Sequence, residues 1–236
     1  MNEMHRKTIM QDINTLLEHF SGLPYQEQKQ YTIEVILPVL KDNIEKIDWN
    51  TVPARFLQKF FFIIFRVKRQ LQIISLNKIF TTILTSLNPS PANTMMLGQP
   101  CSWSNFTLLE NLIRDKFIHN SIIRLMLFKH HVNVKHIGGR SVSMNVENWN
   151  ETAFYLVARE LFYRQHTEKQ KLQYSIKFYL LLKYCFKNNI DVNLELNASS
   201  NFDHLSTVAI VHRHREDWIN NQQLRDMINN FPVFAS

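Results

Sequence analysis

Four basic residues recur at matching positions along this 236-residue chain, and their chemistry is the most specific that the sequence offers. Each stands seven or eight residues after a Thr or Ser that closes a polar segment. The four are Lys59, Arg114, Arg159 and Arg213. Because a guanidinium group donates two parallel hydrogen bonds to a carboxylate or phosphate, such a row predicts binding of an acidic partner. In the alternative interpretation, each arginine only solvates the C-terminal end of a helix.

A second basic group lies around Gly138-Gly139, where residues 132–144 alternate between apolar and polar types. Two glycines between alternating arms predict a β-hairpin, because both central residues of a type I′ turn need a positive φ. This predicted finger carries Lys135, His136 and Arg140, which suit an acidic protein surface. Binding of nucleic acid is disfavoured, because a net charge of +7 is small and no nucleic-acid motif is present.

Catalytic and metal chemistry have weaker candidates. Cys101 lies in a loop that would expose its thiol, but a nucleophile also needs a positioned base, which sequence spacing does not show. Two histidine groups have no spacing typical of zinc ligands. They are His130, His131 and His136, and His204, His212 and His214. We therefore predict no catalytic residue, no metal and no cofactor, with an enzyme of unrecognised type as the alternative.

The composition limits the class of protein. Hydrophobic residues make up 45% of the chain, which excludes disorder throughout. No apolar run reaches the ~18 residues of a membrane span, and we expect no secretory signal peptide. Two cysteines are too few for a disulfide framework and predict a reducing, cytoplasmic compartment. Only 4 glycines argue against phosphate-binding loops and a turn-rich β fold.

Apolar residues recur at helical spacing along most of the chain, which predicts an all-α fold. Pro38 lies inside a helix predicted over residues 25–44 and should bend or split it. The later helices are predicted over residues 56–69, 71–87, 108–117, 121–129, 153–163, 172–187, 207–215 and 222–229.

The helices form an internal repeat. Four polar segments each end in a hydroxyl residue that suits the N-cap of a helix or a turn bond to the backbone. These residues, 45 to 56 positions apart, are Thr51, Thr107, Thr152 and Ser206. The predicted units continue with a short apolar helix, a second helix and an exit that contains asparagine. An irregular helical bundle whose helix pairs are alike in composition is the alternative.

At these residues the chain resembles the ankyrin repeat. That family's unit opens on Thr-Pro-Leu-His, ends its second helix in a Leu-rich turn, and exits through Gly-Ala-Asp-Val-Asn into a β-finger. Thr107-Leu108-Leu109 and His131-Val132-Asn133 match the start and end of one unit. Thr152-Ala153 and Ile190-Asp191-Val192-Asn193 match those of the next. The resemblance covers about residues 51–229 in a degenerate form, since the family's period is about 33 residues.

The resemblance implies a solenoid of about four degenerate helix pairs over residues 47–236. Residues 1–46 would form an N-terminal helical cap, and one or two short β-hairpin fingers would project from the solenoid. It also implies a non-enzymatic protein-protein interaction module, which would bind an acidic surface through its concave face and its basic fingers. Such repeats occur in eukaryotic scaffolds, in viral host-interaction proteins and in effectors that intracellular bacteria deliver to a host cytosol. The sequence leaves the partner and the oligomeric state open.

Overall fold

The computed structural model describes residues 11–12, 15–16, 18–20, 22–71, 76–100, 106–136, 152–162, 165–190, 222 and 226. These residues are mostly helical, which confirms the all-α prediction. Within the described ranges the only bridge between extended residues joins Pro100 to Thr107. The predicted finger at Gly138-Gly139 lies outside them. The chain divides into two compact units, Met1–Met96 and Leu97–Ser236, and the predicted boundary at residues 46 and 47 stays a prediction.

Four α-helices have both of their ends among the described residues of the first unit and lie wholly within it. They are α1 (Tyr25–Tyr31), α2 (Leu37–Asn43), α3 (Ala54–Leu71) and α4 (Leu76–Ser86). A further helix, α5 (Pro91–Gly98), includes the boundary between the units. The second unit contains α6 (Leu108–Ile113), α7 (Asn120–Phe128), α8 (Ala153–Phe162) and α9 (Glu168–Lys187). None of the helices among the described residues combines the length and the apolar character that crossing a membrane requires.

Pro38 changes the helix around it, as its position predicts. The chain passes from α1 through a π-helical turn, Thr32–Ile36, into α2, where Pro38 lies in the first turn. The backbone N–H of Leu37 donates to the carbonyl of Thr32, five residues back. Proline lacks an N–H and its ring collides with the carbonyl four residues before it. A widened turn before Pro38 therefore lets the helix continue without that bond.

Aromatic rings fill the core of the first unit. The ring of Trp49 stacks on Phe60 with centroids 5.9 Å apart, and Phe61 stacks on Phe80 at 5.5 Å. The indole Nε1–H of Trp49 donates to the carbonyl of Ile44 at 3.0 Å, so this buried side chain has its polar group satisfied. Aromatic pairs in such offset geometries contribute about 0.5–1.5 kcal/mol beyond their burial, which helps to hold α3 against α4.

Two of the four predicted N-caps are confirmed in the second unit. The Oγ1 of Thr107 accepts from the N–H of Glu110 at 3.2 Å, and a Glu110 carboxylate oxygen accepts from the N–H of Thr107 at 2.6 Å. These bonds form a capping box at the start of α6. The Oγ1 of Thr152 accepts from the N–H of Tyr155 at 3.2 Å at the start of α8. Both threonines are fully buried, so these helix starts belong to the core.

At Thr51 the hydroxyl makes the turn bond to the backbone and not an N-cap, and Ser206 lies outside the described residues. Thr51 ends a 3₁₀ turn, Trp49–Thr51, and its hydroxyl donates to the carbonyl of Asp48 at 2.8 Å. Asp48 is the capping residue of that turn, because its carboxylate accepts from the N–H of Asn50. The carboxylate of Asp48, three residues before Thr51, therefore caps this turn, and the hydroxyl of Thr51 does not.

The helices of the second unit form two adjacent hairpins. Helix α6 contacts α7, and α8 contacts α9; across the hairpins, α6 contacts α8 and α7 contacts α9. Phe128 at the end of α7 meets Tyr184 near the end of α9, with ring centroids 5.8 Å apart. Helices α7 and α9 therefore run in the same direction. Because a short connection reverses the chain within each hairpin, α6 and α8 are also parallel.

Each second helix is followed by a residue with a left-handed backbone, three residues after the end of α7 and two residues after the end of α9. His131 follows α7 with φ 49° and Asn189 follows α9 with φ 53°, both in the left-handed region. The N–H of Ile190 donates back to the carbonyl of Cys185, and the N–H of Val132 donates back to Met126. These bonds satisfy carbonyls that a helix end leaves without intrahelical partners. Of the two helices predicted after residue 206, only Gln222 and Asp226 are among the described residues, and both are helical.

Candidate functional site

The structure describes five of the seven residues that the sequence predicts to bind a partner. Lys59 is exposed on α3 in the first unit, whereas Arg114, Arg159, Lys135 and His136 belong to the second. Lys135 is exposed, and the other three are partly buried. The remaining two, Arg140 and Arg213, lie outside the described residues. The candidate site that can be described is therefore the end of α6 and α8 together with the segment after α7.

Arg114 caps the C-terminus of α6 and lies over an aromatic ring. Its guanidinium carbon is 5.0 Å from the centroid of Phe106, a residue that precedes the capping box of the same helix. Its backbone carbonyl accepts from the hydroxyl of Tyr174 on α9 at 3.1 Å. The planar guanidinium group is thus held by stacking on one side. The side chain is less exposed than we expected, because its stem covers part of the ring.

Arg159 has a similar environment on α8. Its guanidinium carbon lies 5.8 Å from the centroid of Tyr155, one helical turn earlier. Its Nη2 atom is 3.8 Å from an oxygen of Glu160, and the Arg159 side chain is 18% exposed. That carboxylate is almost fully buried and also lies 3.4 Å from Nε2 of His166. Arg159 is therefore less exposed than we expected and is partly neutralised within the protein.

The packing of the hairpins places these two arginines at equivalent points. Each stands seven residues after a buried capping threonine, Thr107 or Thr152, and the helices that carry them are parallel neighbours. Equal offsets from equivalent starts place the backbones of both residues at or near the C-terminal ends of their helices. The resulting feature, which we call the arginine pair, consists of Arg114 and Arg159.

His136 connects the segment after α7 to the start of α6. Its Nδ1 lies 2.9 Å and 3.0 Å from the two carboxylate oxygens of Glu110. The hydrogen bond to Glu110 raises the pKa of His136 above its ordinary value, partial burial opposes that rise, and the negative charge of Glu110 adds to it. Glu110 is almost fully buried and also closes the capping box with Thr107. His136 thus serves an internal contact as well as the basic surface to which we assigned it.

The structure reveals a buried lysine beside the candidate site that sequence reasoning missed. Lys177 on α9 is fully buried, and its ammonium group donates to the carbonyls of Ile113 at 3.1 Å and Asp115 at 2.8 Å. It also lies 4.7 Å from the ring centroid of Tyr174. A cation at a helix C-terminus is favourable because the last carbonyls carry partial negative charge. Lys177 therefore fixes the end of α6, the position from which the side chain of Arg114 extends.

The metal and enzyme alternatives gain no site among the described residues. His130 is fully buried, His131 is exposed and His136 is paired with Glu110. In the described part of the chain, no three His, Cys, Asp or Glu residues come together in a group that could hold a metal ion. Cys101 and the histidines at 204, 212 and 214 lie outside that part.

Comparison with known proteins gives no relative from which a function could be transferred. No family model matches the chain, and neither a curated protein nor a solved structure matches it.

Proposed function

We propose that the protein is a non-enzymatic protein-protein interaction module that binds an acidic protein surface. The observation that carries the proposal is the arginine pair, in which Arg114 and Arg159 occupy equivalent positions on adjacent parallel helices. Each guanidinium group lies over an aromatic ring, Phe106 or Tyr155, and both side chains are partly buried, with Nε of each arginine and Nη2 of Arg159 enclosed by the protein. Two planar donors at one end of a helix pair suit carboxylates spaced along an acidic segment. Lys135, exposed after α7, adds charge in the same unit.

A degenerate ankyrin-like repeat is the architecture that we propose for this module. Its support is the equivalence of the two hairpins in the second unit. Both hairpins begin at a buried capping threonine, their first helices contact each other, and their second helices contact each other. The exit of the ankyrin unit opens on glycine, the residue that best tolerates a positive φ. Asn189, which stands at that point before Ile190, holds the left-handed conformation, whereas in the other hairpin His131 holds it two residues further along the exit. The number of helix pairs, their arrangement in a solenoid and the β-finger at Gly138-Gly139 are also part of this proposal.

The electrostatic environment of the arginines determines how much they contribute to the affinity for a partner. Arginines at the rim of an interface contribute little to affinity, while those that become desolvated against a carboxylate contribute about 1.5–3 kcal/mol. The carboxylate of Glu160 lowers the positive potential near Arg159, which reduces what Arg159 contributes to binding. Binding should weaken as salt rises, because the charges of an encounter surface are screened.

We also propose a reducing, cytoplasmic setting, which includes the cytosol of a host cell if the protein is delivered there. Cys185 is a buried thiol outside any disulfide, which is compatible with such a compartment.

Selection from a peptide library displayed on phage tests this function with the full chain as bait. The wild type should enrich Asp- and Glu-rich peptides, and the Arg114→Gln/Arg159→Gln variant should lose that enrichment. The control is Arg55→Gln/Arg124→Gln, which removes the same charge from two exposed positions. Absence of acidic enrichment with the wild type, or equal loss with the control, would contradict the proposal.

A further inference from the structure

An apolar cavity lies in the first unit between α2 and α4. Its volume is about 330 Å³. Its walls are the aliphatic side chains of Leu37, Ile44, Leu76 and Ile79. Leu76, Ile79 and Ile44 are buried and belong to the core, so the walls are fixed by packing. Ligand pockets in proteins measure ~300–1,000 Å³, which places this one among sites for a small ligand or a short chain.

Two lysines complete the lining of the cavity. Lys41 comes from the last turn of α2 and Lys78 from α4, and both side chains are exposed. Lys78 lies 4.0 Å from a carboxylate oxygen of Glu45, a long contact between two exposed groups. Among the described residues, no ion pair involves Lys41. The site thus combines an apolar interior with two ammonium groups at the solvent side.

We propose that this cavity binds a small carboxylate with an aliphatic body, of the medium-chain fatty acid class. The chain would replace water against Leu37, Ile44 and Ile79, and burial of aliphatic surface would supply most of the affinity. The carboxylate would remain at the mouth, where Lys41 and Lys78 donate to it. A neutral alcohol or a cation with an aliphatic chain of the same length would lack this interaction between its head group and the two lysines. The charge of the two lysines therefore selects an anionic head group.

The probe for this site is octanoate, compared with 1-octanol, in a titration of the full chain with labelled Ile and Leu methyl groups. Octanoate should saturate one site and shift the methyl signals of Leu37, Ile44 and Ile79. Octanol should bind at least about fivefold more weakly, because each exposed ion pair contributes a modest amount. Equal binding of the two probes, or shifts confined to other methyl groups, would overturn the proposal.

Four variants separate the contributions of charge and shape. Lys41→Gln/Lys78→Gln should weaken octanoate about fivefold and leave octanol unchanged. Glu45→Gln should strengthen octanoate, since it removes the competing carboxylate beside Lys78. Leu37→Trp should fill the cavity and abolish binding of both probes. Lys46→Gln, on an exposed residue outside the lining, is the control and should change neither affinity.

A failure of the charge variants would mean that the cavity is only an apolar void. If Lys41→Gln/Lys78→Gln and Glu45→Gln leave the affinity for octanoate unchanged, the assignment to an anionic ligand is wrong. The result is independent of the arginine pair, because none of these substitutions lies in the second unit.

Discussion

The Nδ1 atom of His136 lies 2.9 Å from a carboxylate oxygen of Glu110, and this contact joins the segment after α7 to the first turn of α6. The same carboxylate closes the capping box with Thr107. The buried side chain of Glu110 thus holds both the first turn of α6 and the segment that follows α7. The second unit is consequently sensitive to the protonation of a single imidazole.

Stability of the second unit should depend on pH through His136. Its pKa is raised in the folded protein, mainly by the hydrogen bond to Glu110. The contribution is therefore fully present below the unfolded value of about 6.5 and is lost as the pH rises through the higher folded value. His136→Gln should lower the free energy of unfolding by about 1–2 kcal/mol at pH 5.5 and by less at pH 9.

Urea unfolding at the two pH values measures this difference. His19→Gln, at an exposed position in the first unit, controls for the loss of a histidine outside the unit that contains Glu110. A penalty for His136→Gln that is equal at both pH values, or larger at pH 9, would show that the ion pair with Glu110 does not stabilise the fold.

Lys177 should be among the most important polar residues for stability. Lys177→Met keeps most of the side-chain volume but removes the charged donor from the carbonyls of Ile113 and Asp115. We expect the free energy of unfolding to fall by about 2–4 kcal/mol, because buried carbonyls lose a charge-assisted partner. Lys183→Met, at an exposed position on the same helix, should change it by less than about 0.5 kcal/mol. Similar unfolding midpoints for the two variants would contradict this role.

The two capping threonines should have equivalent effects. Thr107→Ala and Thr152→Ala each remove a buried hydroxyl that accepts from the first turn of a helix. Each should lower the free energy of unfolding by about 1–2 kcal/mol. Thr51→Ala should cost less, because its hydroxyl is exposed and Asp48 caps that turn. Thermal unfolding of the three variants distinguishes these cases, and a larger effect at Thr51 would argue against the equivalence of the hairpins.

Local sequence signals were sufficient for most helices. Thr107 and Thr152 were identified as caps because a hydroxyl before an apolar helical pattern is a short-range signal. Pro38 was identified as a break because its effect depends only on its own turn. Two further signals were present but not used: Ser90 before Pro91 at the start of α5, and Thr167 with Gln170 at the start of α9. The second is a capping box that begins α9 four residues earlier than predicted.

The site depends on contacts that no local pattern encodes. Lys177 meets the carbonyl of Ile113 across 64 residues of sequence, so its burial follows only from the packing of the hairpins. The environment of Arg114 was missed for a related reason, since it depends on how the chain at Phe106 enters α6. The equal offset of Arg114 and Arg159 from their caps could be predicted, whereas the pairing of Arg159 with Glu160 required the structure.

The affinity for an acidic peptide selected on the wild-type protein tests the central claim most directly. Fluorescence anisotropy with the labelled peptide should show about tenfold weaker binding for Arg114→Gln/Arg159→Gln, equivalent to about 1.4 kcal/mol. It should also show a smaller dependence of affinity on salt, since two charged contacts are lost. Arg55→Gln/Arg124→Gln, which keeps the same net charge as the first variant, should bind like the wild type. Equal affinities and equal salt dependence for all three proteins would contradict the proposal that the arginine pair binds the partner.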